Sequence, residues 1–507
     1  MLRWNSALAQ SAYQDNVRPP HWRNPEPATV YNLVVVGAGP AGLVAARGAV
    51  AMGAKVALVE RHLIGGDCLN VGCVPSKALI RTARLNADMR EAQNFGGRAP
   101  HGLEDDFHKA MARMRAVRAR ISKTDAVQRL IEEGIDVFFG AAQFSGPRTL
   151  MVDGKTLRFK KALVATGARA MIPNIPGLLE LGFLTNETVF NLTARPRRLL
   201  VVGGGPLGCE LAQAFSRLGS QVIIVQDDPM FLPKEERDAA QLLSDALARD
   251  GIEVHLNTTL DAVRMQGDVK IADITSAGSS ATVEFDEILV GAGRSPNVEG
   301  LNLEAAGVRY DTTTGIFVND FLQTANRRIY AAGDACLEHK YTHTAEASAR
   351  IAVQNALFFG RKRLSKLTVP WCTYTDPEIA HVGLYVSQAI QKKIPVSTIT
   401  ILMHDIDRAV IDGEDEGFVK IHLRSGTDEI LGATVVARHA GEMINGVSLA
   451  IGRGIGMRAL ANVIHTYPTQ SEAFKRAADA YNRTRLTPVV KGLSGRWLAL
   501  MRNWGER

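Results

Sequence analysis

The sequence predicts an α/β fold: two domains built on βαβ units, followed by a smaller α+β domain at the C-terminal end. Three observations predict it. A short apolar run, Tyr31-Asn-Leu-Val-Val-Val, leads into Gly37-Ala-Gly39-Pro-Ala-Gly42 and an apolar stretch of helical character. The arrangement recurs 166 residues later, where Leu199-Leu-Val-Val leads into Gly203-Gly-Gly205-Pro-Leu-Gly208. From about Pro370 the pattern changes to strands such as Gly417-Phe-Val-Lys-Ile-His-Leu alternating with helices such as 440–453. A chain of 507 residues has room for about three domains.

Composition narrows the function classes. Hydrophobic content of 46% and charged content of 22% are those of a globular protein. The formal charge of +7 is modest and spread along the chain, which suits anionic cofactors and does not indicate nucleic acid binding. Five cysteines do not make a disulfide scaffold. No run of 18 apolar residues is present, and Met1-Leu-Arg-Trp-Asn-Ser lacks the apolar core of a secretory signal. A reducing cytoplasm is therefore the expected compartment.

Taken in order, residues 1–30 are polar, with Pro19, Pro20, Pro25 and Pro27, and read as an extended arm. The first glycine turn is followed by a helix, 43–52, and a strand, Lys55-Val-Ala-Leu-Val, ending at Glu60. Strand, glycine turn, helix, strand and terminal acid together form a complete Rossmann-like dinucleotide unit. The glycines allow a tight turn against a pyrophosphate at the helix N-terminus, and the acid can hold a ribose hydroxyl. Residues 78–132 read as amphipathic helix, with the arginines of 111–120 on a solvated face rather than a nucleic-acid patch. A buried strand then stops at Ala165-Thr166-Gly167.

The second fingerprint has its own helix, 209–218, and a strand, Gln221-Val-Ile-Ile-Val, ending at Gln226-Asp227-Asp228. No arginine stands there to clasp a 2′-phosphate, which favours NADH slightly over NADPH; Lys234 and Arg237 keep NADPH open. Further strands end in Gly293-Arg294-Ser-Pro-Asn297 and in Gly333-Asp334, where an acid faces the ligand crevice of a parallel sheet. The tail 489–507 carries Val489, Leu493, Trp497, Leu498, Met501 and Trp504 among basic residues. It reads as an amphipathic surface that packs on this protein or a partner, with membrane-surface contact as a weaker alternative.

Between the two fingerprints lies Gly65-Gly-Asp-Cys68-Leu-Asn-Val-Gly-Cys73-Val-Pro75-Ser-Lys77. Pro75 suits a first helical turn, and a thiol at a helix N-terminus ionises more readily than a free one. Two such thiols within bridging reach form a dithiol/disulfide couple. No second cysteine pair exists to complete a metal site, and Cys209, Cys336 and Cys372 are isolated.

With these motifs in order, the chain over 31–485 resembles the flavin-dependent pyridine nucleotide–disulfide oxidoreductases of class I, with Tyr374-Thr-Asp-Pro-Glu378-Ile-Ala and a terminal Pro-Thr-x-x-Glu as further matching motifs. The pattern is most similar to mercuric reductase-like members. The resemblance implies FAD on Gly37, Gly39, Gly42, Glu60, Ala165, Thr166, Gly167, Gly333 and Asp334. It implies NAD(P)H on Gly203, Gly205, Gly208, Gln226, Gly293 and Arg294. The implied domains are an FAD-binding domain (31–180 and 300–368), an NAD(P)-binding domain (181–299) and a dimerisation domain (369–485), flanked by the arm and by a basic tail (486–507). It further implies hydride transfer from nicotinamide to flavin and electron passage to a Cys68–Cys73 disulfide. Cys73 would be the flavin-side thiolate and Cys68 the exchanging sulfur, with Lys77 and Glu210 paired near the flavin. In the implied homodimer, residues from Tyr467 to Glu472 approach the opposite subunit's disulfide.

One position departs from the disulfide-reducing members, which carry histidine immediately before the Pro-Thr; this chain has Tyr467. A phenol is a poor general base at neutral pH but can serve as a ligand or donor. His465, two residues earlier, either substitutes for that base or is an interface histidine. Against mercury reduction, the C-terminus has no vicinal cysteines and no metal-binding module precedes residue 31. The expected acceptor is a thiol-reactive metal ion, a small-molecule disulfide as for a dihydrolipoyl dehydrogenase, or another electron acceptor. A redox-sensing protein of low turnover is the reading from another class.

Overall fold

The structure is a computed structural model that describes residues 6–98 and 107–504. Two compact units emerge, one of residues up to 232 with 247–367, the other of 233–246 with 368–507.

In the first unit, Tyr31–Val36 is the centre of a parallel sheet, flanked by Val56–Glu60 and by the second half of Lys155–Val164. Ile135–Phe139 lies beyond the former and Ile329–Ala331 beyond the latter, also parallel. Side chains alternate over 33–36: Leu33 and Val35 join one core, while Val34 and Val36 join the other, which Tyr31 at the strand's start also enters. Both faces are covered, which explains why the strand reads as continuously apolar. Lys155–Val164 is long enough to serve two purposes, its first half pairing antiparallel with Thr149–Val152. The second sheet repeats the plan with Glu253–His255, Gln221–Val225, Arg198–Val202 and Glu287–Val290 in that order, all parallel. Three antiparallel strands, Thr258–Gln266, Val269–Ser276 and Ser279–Phe285, follow between its last two members in sequence.

The expected extended arm is a helix in its middle. Ser6–Val17 is α-helical, with Tyr13 and Val17 buried against Leu69 and Ala119. The prolines begin only at residue 19, so they end the helix rather than prevent it. The basic helix also differs from expectation. Phe107–Ser122 does bear exposed basic residues, but Arg118 is buried, its guanidinium 4.4 Å from the Tyr13 ring centroid and bonded to the Asn70 carbonyl. An arginine inside a helix pair is tolerated because its face stacks on the phenol while its edge finds an acceptor.

The second unit is a five-stranded antiparallel sheet, ordered Pro370–Thr373, Glu378–Gly383, Ile430–Ala437, Phe418–Arg424 and Val396–Leu402. Helices Ala440–Arg453 and Glu472–Thr484 bury Val447, Phe474 and Ala477 on it. The segment 233–246 is held to this sheet by two carboxylates. Glu235 accepts from the Tyr385 hydroxyl at 2.6 Å and the Trp371 indole at 3.2 Å. Glu236 lies 3.3 Å from both His422 and Lys420. Within the tail, Pro488–Asn503 forms an exposed helix that does not bury its apolar side chains among the described residues of this chain.

Candidate active site

The redox segment is built directly onto the first glycine turn. Gly37 has φ +101, and a Cβ there would strike the carbonyl of Ala165, so both the conformation and the close passage need glycine. Gly65 N–H donates to the Ala38 carbonyl at 2.8 Å, and a Cβ at Gly66 would lie 2.6 Å from the Gly39 Cα. The Gly-Gly pair therefore lets the cysteine segment lie against the turn at the N-terminus of helix Pro40–Ala51. Gly203, with φ +102, repeats the turn before helix Pro206–Arg217.

Cys68 lies in the short helix Gly66–Asn70, and Cys73 is the first residue of helix Cys73–Arg90. The chain breaks at Val71-Gly72 between them, so the two thiols meet instead of lying along one helix. The Cys68 thiol hydrogen-bonds to Cys73. That bond, then the Thr342 hydroxyl and the charge of Lys77, pull Cys73 down to about 6 against the opposing effects of desolvation and Glu210. The same bond, with desolvation, pushes Cys68 well above the usual thiol range. The reduced pair thus holds one proton on Cys68 and a thiolate on Cys73.

Lys77 stands one helical turn after Cys73, on the same face. Its Nζ is 2.6 Å from Glu210 Oε2, and Glu210 is buried on helix Pro206–Arg217. The helix Cys73–Arg90 and the second glycine-turn helix, Pro206–Arg217, are thereby joined beside the thiolate, and the structure brings Lys77 and Glu210 together.

The expected nucleotide positions lie at glycine turns and strand ends of the first unit. At Gly205 a Cβ would meet nothing within 4 Å, and at Gly39 its only close neighbour is the Gly66 Cα at 3.7 Å, so both turns are open to a bulky anionic group. Glu60 is fixed at its strand end by the Ala38 and His62 amides, each at 2.8 Å, and its burial pushes its carboxyl pKa up. Asn297 knits Ala165-Thr166-Gly167 in place, accepting from the Thr166 hydroxyl through its carbonyl at 2.6 Å and donating its amide to the Thr166 carbonyl at 3.0 Å. Gly333 N–H bonds Ser348 Oγ at 3.1 Å. Burial raises the Asp334 pKa, with Arg294 opposing at 3.8 Å. Arg294 also pairs with Asp67, the residue before Cys68, and donates to the Ala168 carbonyl at 2.7 Å. Gly293, with φ +123, precedes it. Gln226 is buried, its amide donating to the Met230 carbonyl at 2.8 Å and its oxygen crossing Gly204.

Sequence reasoning missed several residues here. Thr342 is a single threonine far along the chain, without a motif of its own. Asn70 sits inside the cysteine box as a hub. Its amide donates to the Ile64 and Gly66 carbonyls at 3.1 and 2.8 Å, and its oxygen accepts from Tyr13 at 2.6 Å. The spacing of the cysteines carries no sign of a partner from residues 6–17.

In the second unit, Tyr467 is exposed and donates to Asp407 at 2.8 Å, a bond that raises its pKa. Asp407 accepts from Arg476 at 3.0 Å, and Arg476 reaches Glu472 at 3.1 Å. The glutamate is thus linked to the tyrosine through two intervening side chains, not directly. His465 Nε2 and Glu472 Oε2 are buried atoms without a hydrogen-bond partner among the described residues.

Comparison with known proteins agrees with this architecture. The family described as pyridine nucleotide-disulphide oxidoreductase matches residues 31–356, and its dimerisation domain matches 369–478. The mercuric reductase of Lysinibacillus sphaericus is 33% identical over 453 residues, 89% of this chain and 83% of that protein. The dihydrolipoyl dehydrogenase of Thermus scotoductus is 35% identical over 463 residues, 89% and 98% respectively. The Cu(II) complex of the HOCl-induced flavoprotein disulfide reductase RclA from Escherichia coli superposes with a TM-score of 0.79 at 26% identity, covering 89% of this chain and all of that one. Proteins of this family bind FAD, use NAD(P)H and act on sulfur groups or metal ions. A redox dithiol set on one of two nucleotide turns, and a matching dimerisation domain behind them, place this chain among the pyridine nucleotide–disulfide oxidoreductases.

Proposed function

We propose that this flavoprotein is a cytoplasmic NAD(P)H oxidoreductase whose Cys68–Cys73 couple serves a thiol-reactive metal ion, as in mercuric reductases. FAD would be held by 31–180 with 300–368 through Gly37, Gly39, Gly42, Glu60 and Asp334, with Ala165, Thr166 and Gly167 forming the strand end beneath it. NAD(P)H would be held by 181–299 through Gly203, Gly205, Gly208 and Gln226. Bound FAD supplies the conversion of one hydride from NAD(P)H into two electrons at the disulfide. Two electrons and one proton then give the state the pair favours, a Cys68 thiol and a Cys73 thiolate. Lys77 stabilises that thiolate, with Glu210 opposing it in part. Cys68, outermost in the exchange, presents sulfur to the acceptor.

The observation that carries the choice of acceptor is Tyr467. Its hydroxyl is committed to Asp407, which leaves even less of it as phenolate at neutral pH than for an ordinary phenol. A disulfide acceptor needs a base to take the proton from the exchanging thiol; a soft metal ion needs only sulfur and oxygen ligands. In the homodimer that the dimerisation domain supports, Tyr467 would approach the partner's thiols as ligand or donor.

His465 supports a second reading, a dihydrolipoyl dehydrogenase-like enzyme, because its Nε2 is buried without a hydrogen-bond partner among the described residues. The deciding experiment measures NADH and NADPH oxidation against Hg(II) with excess thiol, lipoamide and glutathione disulfide. Turnover with Hg(II) alone is expected. Turnover with lipoamide transfers the assignment to the second reading, and silence with all three transfers it to a redox sensor.

A further inference from the structure

The helix Pro488–Asn503 lies beyond the matched dimerisation domain and is built without help from the core. Pro488 occupies its first turn, and the Thr487 hydroxyl caps it by accepting from Val490 N–H at 3.3 Å. Val489, Leu493, Trp497, Leu500 and Trp504 recur at i, i+4, i+8, i+11 and i+15, so they share one face. All five are exposed, between 55% and 79%. Lys491 and Arg502 fall on the opposite side and Arg496 at its edge. From 480 to 504 the chain has five basic residues and no acidic one.

We propose that this helix lies on an anionic lipid bilayer, with its tryptophan face in the headgroup boundary and its basic residues against the phosphates. Charge favours this occupant. A second copy packed face to face would leave Lys491 and Arg502 unneutralised on the outer side and bring Arg496, at the edge of the face, towards its own equivalent, with no carboxylate on either helix to pair any of them. An anionic leaflet neutralises all three, and its interface is where tryptophan is most at home. At 16 residues the helix is too short and too charged to cross a bilayer, and no described helix is long and apolar enough to do so. Each basic residue near such a surface multiplies partitioning by about five-fold, and the gain falls as salt rises.

The test is sedimentation of the full-length flavoprotein with phosphatidylcholine vesicles, with and without phosphatidylserine, alongside sedimentation velocity of the protein alone. The expected result is binding at least ten-fold stronger to the phosphatidylserine vesicles and weakened by salt. Leu493→Glu with Trp497→Glu should abolish it, leaving oligomeric state and NAD(P)H oxidation unchanged. Lys491→Ala with Arg496→Ala and Arg502→Ala should remove the preference for phosphatidylserine. Equal, negligible binding to both vesicles overturns the proposal. So does a change of oligomeric state in the Leu493/Trp497 variant, which would show that a second copy covers the face.

Discussion

Thr342 Oγ1 lies 3.4 Å from Cys73 Sγ although 269 residues separate the two in sequence. The contact brings the start of helix Thr342–Leu357 to the thiolate at the start of helix Cys73–Arg90, so two helix N-termini and one hydroxyl face the same sulfur. Thr342→Val removes the hydroxyl and keeps the shape. Since a hydrogen bond to a charged group contributes about 1.5 kcal/mol, the Cys73 pKa should rise by about one unit. Alkylation of the reduced protein as a function of pH reads it, with the wild-type midpoint near 6. An unchanged midpoint would mean that Thr342 does not stabilise the thiolate. The stability of the reduced protein has two limbs of opposite sign. Cys73 is more acidic folded than unfolded, so its contribution is complete above about pH 9 and is lost as pH falls through about 6; Cys68 is less acidic folded than unfolded, so its contribution is present below about pH 9 and is lost as pH rises beyond it.

The Lys77–Glu210 pair has one member buried and one part-exposed. Lys77→Met should therefore cost about 2 kcal/mol by leaving the Glu210 carboxylate without its partner, besides raising the Cys73 pKa. Lys77→Met with Glu210→Leu should recover most of the stability in chemical denaturation and return the thiol titration only part of the way, because Glu210 opposes Lys77 at the thiolate. An unchanged titration in Lys77→Met itself would show that Lys77 acts on packing alone.

The helix 6–17 braces the redox segment through the Tyr13 to Asn70 hydrogen bond and, at the segment's start, through the Val17 carbonyl, which accepts from Ile64 N–H at 3.0 Å. Tyr13→Phe leaves the Asn70 oxygen short of a donor, at a cost of about 1–2 kcal/mol. Because Asn70 lies between the cysteines, the loss should appear as faster hydrogen exchange over 64–73 and faster alkylation of Cys68, not only as a lower Tm. A lower Tm with an unchanged Cys68 rate would confine the helix to general stability.

What was legible in the sequence was local. Gly37 and Gly203 betray their turns because only glycine tolerates the backbone there, and Glu60 and Gln226 end strands whose apolar runs announce them. Lys77 and Glu210 were legible only through the family resemblance, which implied their pairing. Thr342, Arg118 and the Tyr13–Asn70 bond were not legible, because each depends on segments distant in sequence coming together. The helix 6–17 was obscured differently: Ala7, Ala9 and Ala12 favour it, but the prolines at 19–27 dominate the composition of the whole stretch. Tyr467 was legible as a departure; its commitment to Asp407 was not.

Tyr467 separates the two acceptor classes, and a single substitution addresses it. Tyr467→His deletes the donor to Asp407 and supplies an imidazole whose ordinary pKa is near neutrality. If residue 467 is what excludes disulfides, turnover of lipoamide or glutathione disulfide should rise by 10²-fold or more, the usual scale of general base catalysis. Turnover with Hg(II) should fall as the phenol is lost. The pH–rate profile for the disulfide should then acquire a limb near pH 6–7 that the wild type lacks, since the base must be neutral to accept the thiol proton. A rise without that limb would point to His465 or water as the acceptor of the proton. No rise at all would place the discrimination elsewhere, and replacement of His465 in the same background would be the next comparison, because its Nε2 is buried without a hydrogen-bond partner among the described residues.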